Sequence, residues 1–572
     1  MKNLEKTYLP ILFLSLLIYS LDQLVKVEKQ ASFTTVSFLI GLIIFYRYFF
    51  IKGDDQIPIK FQISIFNNFT NLILLFLLTI LTQNKYLNIE TITWDVHSYL
   101  VASQEINQGF IPLETQWESK GPIFLYLYNI FSIISNKNYI IFRLVNDIIL
   151  FLSVIFLYLA VFIKTNNKVK SFFSSFLFIL TISHVWFISE FSEIYCLAIL
   201  SSIYYIFNRY EHKSYLLTLL GFLFSISTLI NQGTIIFLVP YFIVLFNEFK
   251  KNNLIRNMFY FFIGFIFPHV TFLLIYLVNG MFDIYISQYI FIPLGYIQAN
   301  QSSFYELKVV LRRYFEYDVF LYFSIFSLLV FSFQTLLKQL SVKKFKIFND
   351  LSYLNLLTAI IFYFIAGHNY YHHLFYAIFF FSIVIIKIEF SNQRNLAMGL
   401  ILVSFISLGF KTFPDSLYNL TNINKIYNNY PLKQLSEEID INFSNDKYDI
   451  LAMDYVLILY YLDKPNYSYI VHPSNHYEDF IVSELLRLQK IEVNEFSHIS
   501  KMIEDEPEVI ICNPKMVIKG IPEKIDFYNC AVDDYKKNYK KLETMNYKNN
   551  QNLDYYSDPY KEINVFINKS KQ

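Results

Sequence analysis

The chain runs to 572 residues, of which 55% are hydrophobic, 20% aromatic and only 16% charged. A soluble domain carries roughly a quarter charged residues, so this composition excludes a wholly soluble protein and makes lipid the expected main solvent. The net charge of +1 implies no nucleic-acid surface. The three cysteines, Cys196, Cys512 and Cys530, form no C-x-x-C pair, so no cysteine-based zinc or redox site is expected.

Apolar runs fall, in chain order, at 8–25, 32–51, 63–82, 139–163, 172–189, 193–208, 214–230, 234–248, 257–279, 318–337, 351–366, 373–389 and 395–413. Each is long enough, or nearly so, to cross a bilayer as a helix. The expected fold is a polytopic α-helical membrane protein with about 13 transmembrane helices. The first run follows Met1–Lys6 as in a signal peptide, but no small-residue cleavage site follows Tyr19, so it reads as a retained helix. Two N-terminal spans within 1–62 thus precede a membrane region over 63–413.

Lys and Arg set the orientation, because cytoplasmic loops hold them in excess. With the N-terminus inside, the inner loops take Lys52 and Lys60, then Lys164, Lys168 and Lys170, then Arg209 and Lys213, then Lys250, Lys251 and Arg256. Lys338, Lys343, Lys344, Lys346, Lys387 and Arg394 follow the same pattern. Two outer connections are long, 83–138 and 280–317, and they hold the exceptions Lys85, Lys120, Lys137, Arg312 and Arg313. Everything after Phe413 is then extracytoplasmic.

The first outer loop reads Trp94-Asp95-Val96-His97-Ser98-Tyr99, then Gly109, Pro112 and Lys120-Gly121-Pro122. A helix is expected over 96–108 and an amphipathic one over 121–135, of the kind that lies along a membrane surface. The loop would therefore hold the Asp95 carboxylate and the Lys120 ammonium at headgroup height, with His97 and Tyr99 on the helix that follows Asp95. A carboxylate there can act as a general base and a lysine can hold a phosphate. The same pattern also fits an ordinary amphipathic surface loop.

Other polar residues gather on the same side. Arg143 opens the fourth span, and Glu190-Phe191-Ser192-Glu193-Ile194-Tyr195 lies at the outer end between the fifth and sixth. Gly367-His368-Asn369-Tyr370-Tyr371-His372-His373 stands at another outer turn. Its three histidines, His368, His372 and His373, could hold a metal, but no Cys or carboxylate cluster accompanies them, so capping or phosphate binding is expected instead. Arg312 and Arg313 read either as a snorkelling pair or as a clamp on a lipid phosphate.

The tail, 414–572, is polar throughout. Short apolar runs at Tyr448–Met453, Ser468–Val471, Glu508–Cys512 and Ile563–Ile567 alternate with helical patterns at Leu432–Asp440, Glu478–Gln489 and Ala531–Leu542. This alternation predicts a small extracytoplasmic α/β domain. Cys512 and Cys530 would be free to pair there. A Tyr-rich helix, Tyr455–Leu462, is followed by Lys464-Pro465 and His472-Pro473.

The succession Asp95–x–x–x–Tyr99, Gly109, Lys120–Gly121–Pro122 resembles the GT-C glycosyltransferases, in particular the protein O-mannosyltransferase and aminoarabinose transferase superfamily. The resemblance maps the family's catalytic Asp onto Asp95 and its phosphate-contacting Lys onto Lys120. Many members have Asp–Glu at the first motif, whereas Val96 stands in the Glu place here. Relatives often carry Arg at the Arg143 position, an acidic–Tyr pattern that maps onto Glu193 and Tyr195, and a Gly–Arg–x–x–x–His–Tyr turn. In that turn His372 fits, while His368 and His373 replace Arg and Tyr. The His–Pro after a strand in the tail also resembles extracytoplasmic domains of bacterial GT-C relatives.

The resemblance implies an inverting transferase in the cytoplasmic membrane, with no metal or other cofactor. Its donor would be a sugar on a polyprenyl-phosphate carrier, undecaprenyl phosphate in a bacterium, and its acceptor a hydroxyl of a glycan, lipid or protein. Asp95 would be catalytic. Lys120, with one or more of Arg143, Arg312, Arg313 or the His cluster, would hold the phosphate. Two alternatives are a lipid-linked sugar transporter or flippase, which would place ionisable groups mid-membrane, and a non-catalytic component of envelope glycan assembly.

Overall fold

The computed structural model describes residues 68–210, 213–248, 251–299, 350–365, 370–387, 412–443, 448–493, 495–513, 539–546 and 562–569. The expected spans at 8–25, 32–51 and 318–337, most of 395–413, and residues Arg312, Arg313, His368 and Cys530 lie outside them.

Helix α1 (Asn68–Gln83) leads through a short turn to α2 (Trp94–Gln104), which starts at Thr93, whose hydroxyl accepts the Asp95 N–H. Gly109, at φ +91°, ends the turn that follows α2. Helix α3 (Pro122–Ile134) opens on a proline, which needs no N–H partner at that position. Asn138 and Asn167 cap the starts of α4 (Tyr139–Thr165) and α5 (Lys168–Thr181). The following helices are α6 (Ser192–Arg209), α7 (Ser214–Ile230), α8 (Leu238–Glu248) and α9 (Lys251–Val278). After them come α10 (Phe282–Ile286), α11 (Ile292–Ala299), α12 (Leu351–Ile365) and α13 (Phe375–Val384).

Among the described residues two helices are long and apolar enough to cross a membrane, α4 and the Leu254–Val278 part of α9. Others, including α3, α7 and α12, are apolar but shorter. Two sequence expectations are corrected here. The run at 172–189 is not one span: α5 ends at Thr181, and Ser183 and His184 start a separate turn at Val185–Phe187. The expected connection 280–317 is not loop over its described part, since 282–299 is helical throughout, including a π-turn at Ser287–Phe291.

Helices α7 and α9 pack backbone to backbone. A Cβ on Gly221 would collide with the Phe261 carbonyl, and one on Gly264 with the Thr218 carbonyl. Small residues allow such contact where lipid offers no hydrophobic gain for association.

The tail folds as short helices around a four-stranded sheet. Its helices are α14 (Ile423–Asn428), α15 (Pro431–Asn442), α16 (Leu457–Leu462), α17 (Asp479–Arg487) and α18 (Glu495–Glu504). The strands β1 (Ile450–Ala452), β2 (Val509–Cys512), β3 (Tyr539–Asn546) and β4 (Glu562–Asn568) lie in the order β1-β2-β4-β3. Only β1 and β2 are parallel. Residues 539–542, expected to be helical, belong to β3, whose backbone pairs antiparallel with β4. Ser468–Val471 forms no strand of this sheet; Ile470 makes an isolated parallel bridge to Trp117 of the first loop. Cys512 is disulfide-bonded and Cys196 is free and buried.

One contiguous core runs from the helices into the tail, joining Val96, Tyr99 and Phe124 to Val456–Tyr460 and Ile511. The first loop is held between the two. Glu90 accepts the Leu432 and Lys433 N–H groups at the start of α15 (2.8 and 3.1 Å). Gln116 and Asn466 exchange two hydrogen bonds, of 3.1 and 2.8 Å. Glu105 accepts the N–H groups of Leu113, Thr115 and Gln116, folding the loop back on α2. Leu113 sits there at φ +70°, a conformation that L residues adopt only when their surroundings impose it.

Candidate active site

A cavity of about 740 Å³ lies where the start of α2, Ser119–Lys120, helices α9 to α11, the Tyr371–Leu374 turn and the tail meet. Its polar wall carries Asp95, Lys120, His372, His373, His472 and Glu478; its apolar wall includes Phe265, Leu273, Ile290 and Ile365.

Asp95 is placed by the start of α2. The Thr93 hydroxyl donates to Oδ2 at 2.9 Å, and Tyr99, one turn on, donates to Oδ1 at 3.3 Å. His472 Nε2 stands 3.5 Å from Oδ1. Ser474 N–H donates to His472 Nδ1 at 3.2 Å, which leaves Nε2 to carry the hydrogen facing Asp95. Burial works to raise the Asp95 carboxyl. The hydrogen bond and charge of His472, with the charges of His372 and Lys120, outweigh it and hold Asp95 well below the usual carboxylate range. Burial likewise disfavours a charged His472, but the hydrogen bond and charge of Asp95, and the charge of Glu118, raise it above the ordinary imidazole range. Asp95 is therefore an ionised carboxylate, with 24% of its side chain exposed to the cavity side.

Lys120 owes its position to the two residues after it. The Gly121 N–H donates to the Ile230 carbonyl at 3.0 Å, and a Cβ on Gly121 would overlap the Leu229 carbonyl. Gln288 donates to the carbonyls of Glu118 and Lys120 at 3.1 and 3.0 Å. The Lys120 ammonium then reaches over the Tyr99 ring, 5.8 Å from its centre, and stands 3.8 Å from Glu193 Oε1. Glu193 is fully buried behind the cavity wall and also accepts the Asn231 amide at 3.0 Å. His373 Nε2 lies 3.7 Å from the same Glu193 oxygen.

Three residues expected in the site have other places. Arg143 does not line the cavity: its Nε donates to Glu190 at 2.7 Å, and its Nη1 donates to the Tyr86 and Ile89 carbonyls at 3.0 and 3.2 Å. Those bonds pin the chain entering α2, so the guanidinium is not free to hold a phosphate. His97 is buried on the far side of α2, 3.3 Å from the Tyr139 hydroxyl. Burial first, and then the Arg143 charge, push it down to about 3, so it is neutral. Tyr99 is wholly buried and supports Asp95 and Lys120 from beneath.

Sequence reasoning passed over His472, Glu478 and His269 as site residues. His269, in α9, lines the cavity with its Nε2 2.8 Å from the Thr228 hydroxyl. Its signal was a Pro–His pair interrupting an apolar run. His472 had the His–Pro dipeptide as its signal, but no spacing rule ties it to Asp95.

The fold is that of the GT-C glycosyltransferases. It is similar to ArnT, the aminoarabinose transferase of Cupriavidus metallidurans, in the form bound to undecaprenyl phosphate: TM-score 0.58, 10% identity, covering 89% of this chain and 99% of that one. The apo form of the same ArnT gives a TM-score of 0.56 at 9% identity, over 87% and 98% of the two chains. The archaeal oligosaccharyltransferase AglB from Archaeoglobus fulgidus gives 0.43 at 11% identity, over 86% and 75%. No family model and no curated protein matches the sequence.

Proposed function

We propose that this chain is a membrane glycosyltransferase that moves a sugar from a polyprenyl-phosphate carrier to a hydroxyl acceptor at the outer face of the cytoplasmic membrane. One observation carries the reading: Asp95 and Lys120, 25 residues apart in one loop, share a single cavity that has an ionised polar wall and an apolar one. A lipid phosphate needs both walls. The fold it shares with ArnT, which binds undecaprenyl phosphate, supports the choice of carrier.

In this reading the prenyl chain lies along the Phe265, Leu273 and Ile290 side, and its phosphate meets Lys120. The ammonium stabilises negative charge as it builds on the leaving phosphate. The acceptor hydroxyl attacks the anomeric carbon from the opposite face, so the C1–O bond to phosphate breaks as the new C1–O bond forms. Its proton passes to Asp95. A carboxylate held as low as Asp95 is a weak base, so proton transfer comes late, when bonding to C1 has already acidified the hydroxyl. One inverting displacement needs only one essential carboxylate, unlike a retaining glycosidase.

Asp95→Asn should abolish transfer, by at least about 1,000-fold, while inserting into the membrane and melting like the wild type. A variant that still transfers sugar at the wild-type rate would remove Asp95 from the mechanism. Lipid analysis of a strain lacking the protein should show a polyprenyl-phosphate sugar accumulating and one glycan losing a residue.

A further inference from the structure

We propose that Glu193, His372 and His373 bind one divalent zinc-class ion on the wall of the cavity. Their donor atoms lie within 4.8 Å of one another, and all three residues are buried. Two imidazoles and a carboxylate are a donor set that zinc takes in sites that keep one position open. Donors about 2.0–2.2 Å from a tetrahedral zinc are roughly 3.4 Å from each other. His373 Nε2 and Glu193 Oε1, at 3.7 Å, need close by only a fraction of an ångström.

Three further observations favour a cation here. The Nδ1 atoms of both histidines are buried without a hydrogen-bond partner, so no hydrogen bond at that nitrogen fixes the tautomer of either ring against an incoming ion. Both rings are oriented by packing instead: His372 stacks on Phe191 at 4.2 Å between ring centres, and His373 meets Phe362 edge-on at 5.5 Å. Ser192 donates to Glu193 Oε2 and Asn231 to Oε1, fixing the carboxylate as a second layer of partners does in metal sites. A phosphate on these two imidazoles would face the Glu193 carboxylate, which repels it, whereas a cation is drawn in by it.

Lys120 is the competing charge, 3.8 Å from Glu193. It stands on a flexible stem that lines the cavity and can turn toward an anion there. His372 and His373 also line the cavity while Glu193 does not, so the open coordination position faces the cavity. Resting on the glycosyl-transfer reading, that position would take a phosphate oxygen of the donor, and the ion would share with Lys120 the charge of the leaving group.

The test uses the full chain, purified without a polyhistidine tag, placed in nanodiscs and stripped with a chelator. Zn2+ is then titrated against a fluorescent zinc indicator. One equivalent should bind, and zinc-edge X-ray absorption should show two imidazoles and an oxygen ligand. Glu193→Gln, which keeps shape, and His373→Phe should each weaken binding at least about 100-fold, with thermal melting confirming that the variants are folded. Absence of a bound equivalent, or an affinity that neither substitution moves, would overturn the site. No measurement here reads sugar transfer, so loss of the metal site leaves the transferase reading standing, and zinc binding without transfer would break only the latter.

Discussion

Glu190 and Glu193 lie three residues apart, and each is buried facing a basic side chain, yet the two pairs differ in kind. Glu190 meets Arg143 Nε at 2.7 Å, and Nη1 of the same guanidinium donates to two backbone carbonyls. Glu193 meets Lys120 only at 3.8 Å, with the imidazole of His373 3.7 Å away and the cavity in front. A saturated pair can only hold structure. An unsaturated one keeps binding capacity for something that arrives later.

The comparison breaks most visibly under deletion of one partner. Arg143→Met leaves Glu190 buried and unpaired and should cost about 3–5 kcal/mol of stability, read as a large drop in melting temperature or loss of folded protein. Glu193→Gln should shift melting by no more than about 1 kcal/mol, because Asn231 and Ser192 still satisfy a neutral amide. Equal losses in the two would erase the distinction. Lys120→Met should then lower transfer about 100- to 1,000-fold on the proposed reading, in which its ammonium serves the leaving phosphate, with a smaller loss of stability than Arg143→Met because Asn231 and Ser192 still hold Glu193. Gly121→Ala is next: its Cβ meets the Leu229 carbonyl, so we expect a loss of about 1–3 kcal/mol together with reduced transfer from a displaced Lys120.

The smallest effect concerns pH. In the wild type Asp95 is held low by His472, so activity should show no acid limb from this carboxyl above about pH 5. In His472→Ala burial is opposed less, the folded-state value rises, and the carboxylate is lost as pH falls. Transfer by this variant should drop about tenfold between pH 7.5 and 5 relative to wild type. An unchanged pH profile would show that His472 only packs against Trp94.

The residues of the first loop were legible because their chemistry is local. Pro122 heads α3 by a rule that acts within a turn, whereas α2 begins two residues before the expected 96, where Thr93 caps it. The apolar runs at 139–163 and 193–208 correspond to α4 and α6 to within a turn, since burial in an apolar environment demands continuous helix. What sequence could not show is which partner a polar side chain meets. Arg143 opens a helix as expected, but only the fold brings Glu190 and two loop carbonyls to it. The histidines of the Tyr371–Leu374 turn lacked a carboxylate in sequence, and Glu193 supplies it from another helix. Residues 539–542 have a helical pattern, yet pairing with β4 wins, because an edge strand is decided by its neighbour.

The contact between Asp95 and His472 also has a bearing on biosynthesis. A ribosome adding about 5–20 residues per second delivers His472 on the order of tens of seconds after Asp95. Trp117, Gln104 and Glu90 must likewise wait for Ile470, Tyr460 and Leu432. Through that interval Asp95 stands among helices without the imidazole that keeps it ionised. The nascent chain thus completes the Asp95 cavity last, and a chain whose translation stops early lacks the wall that His472 and Glu478 supply.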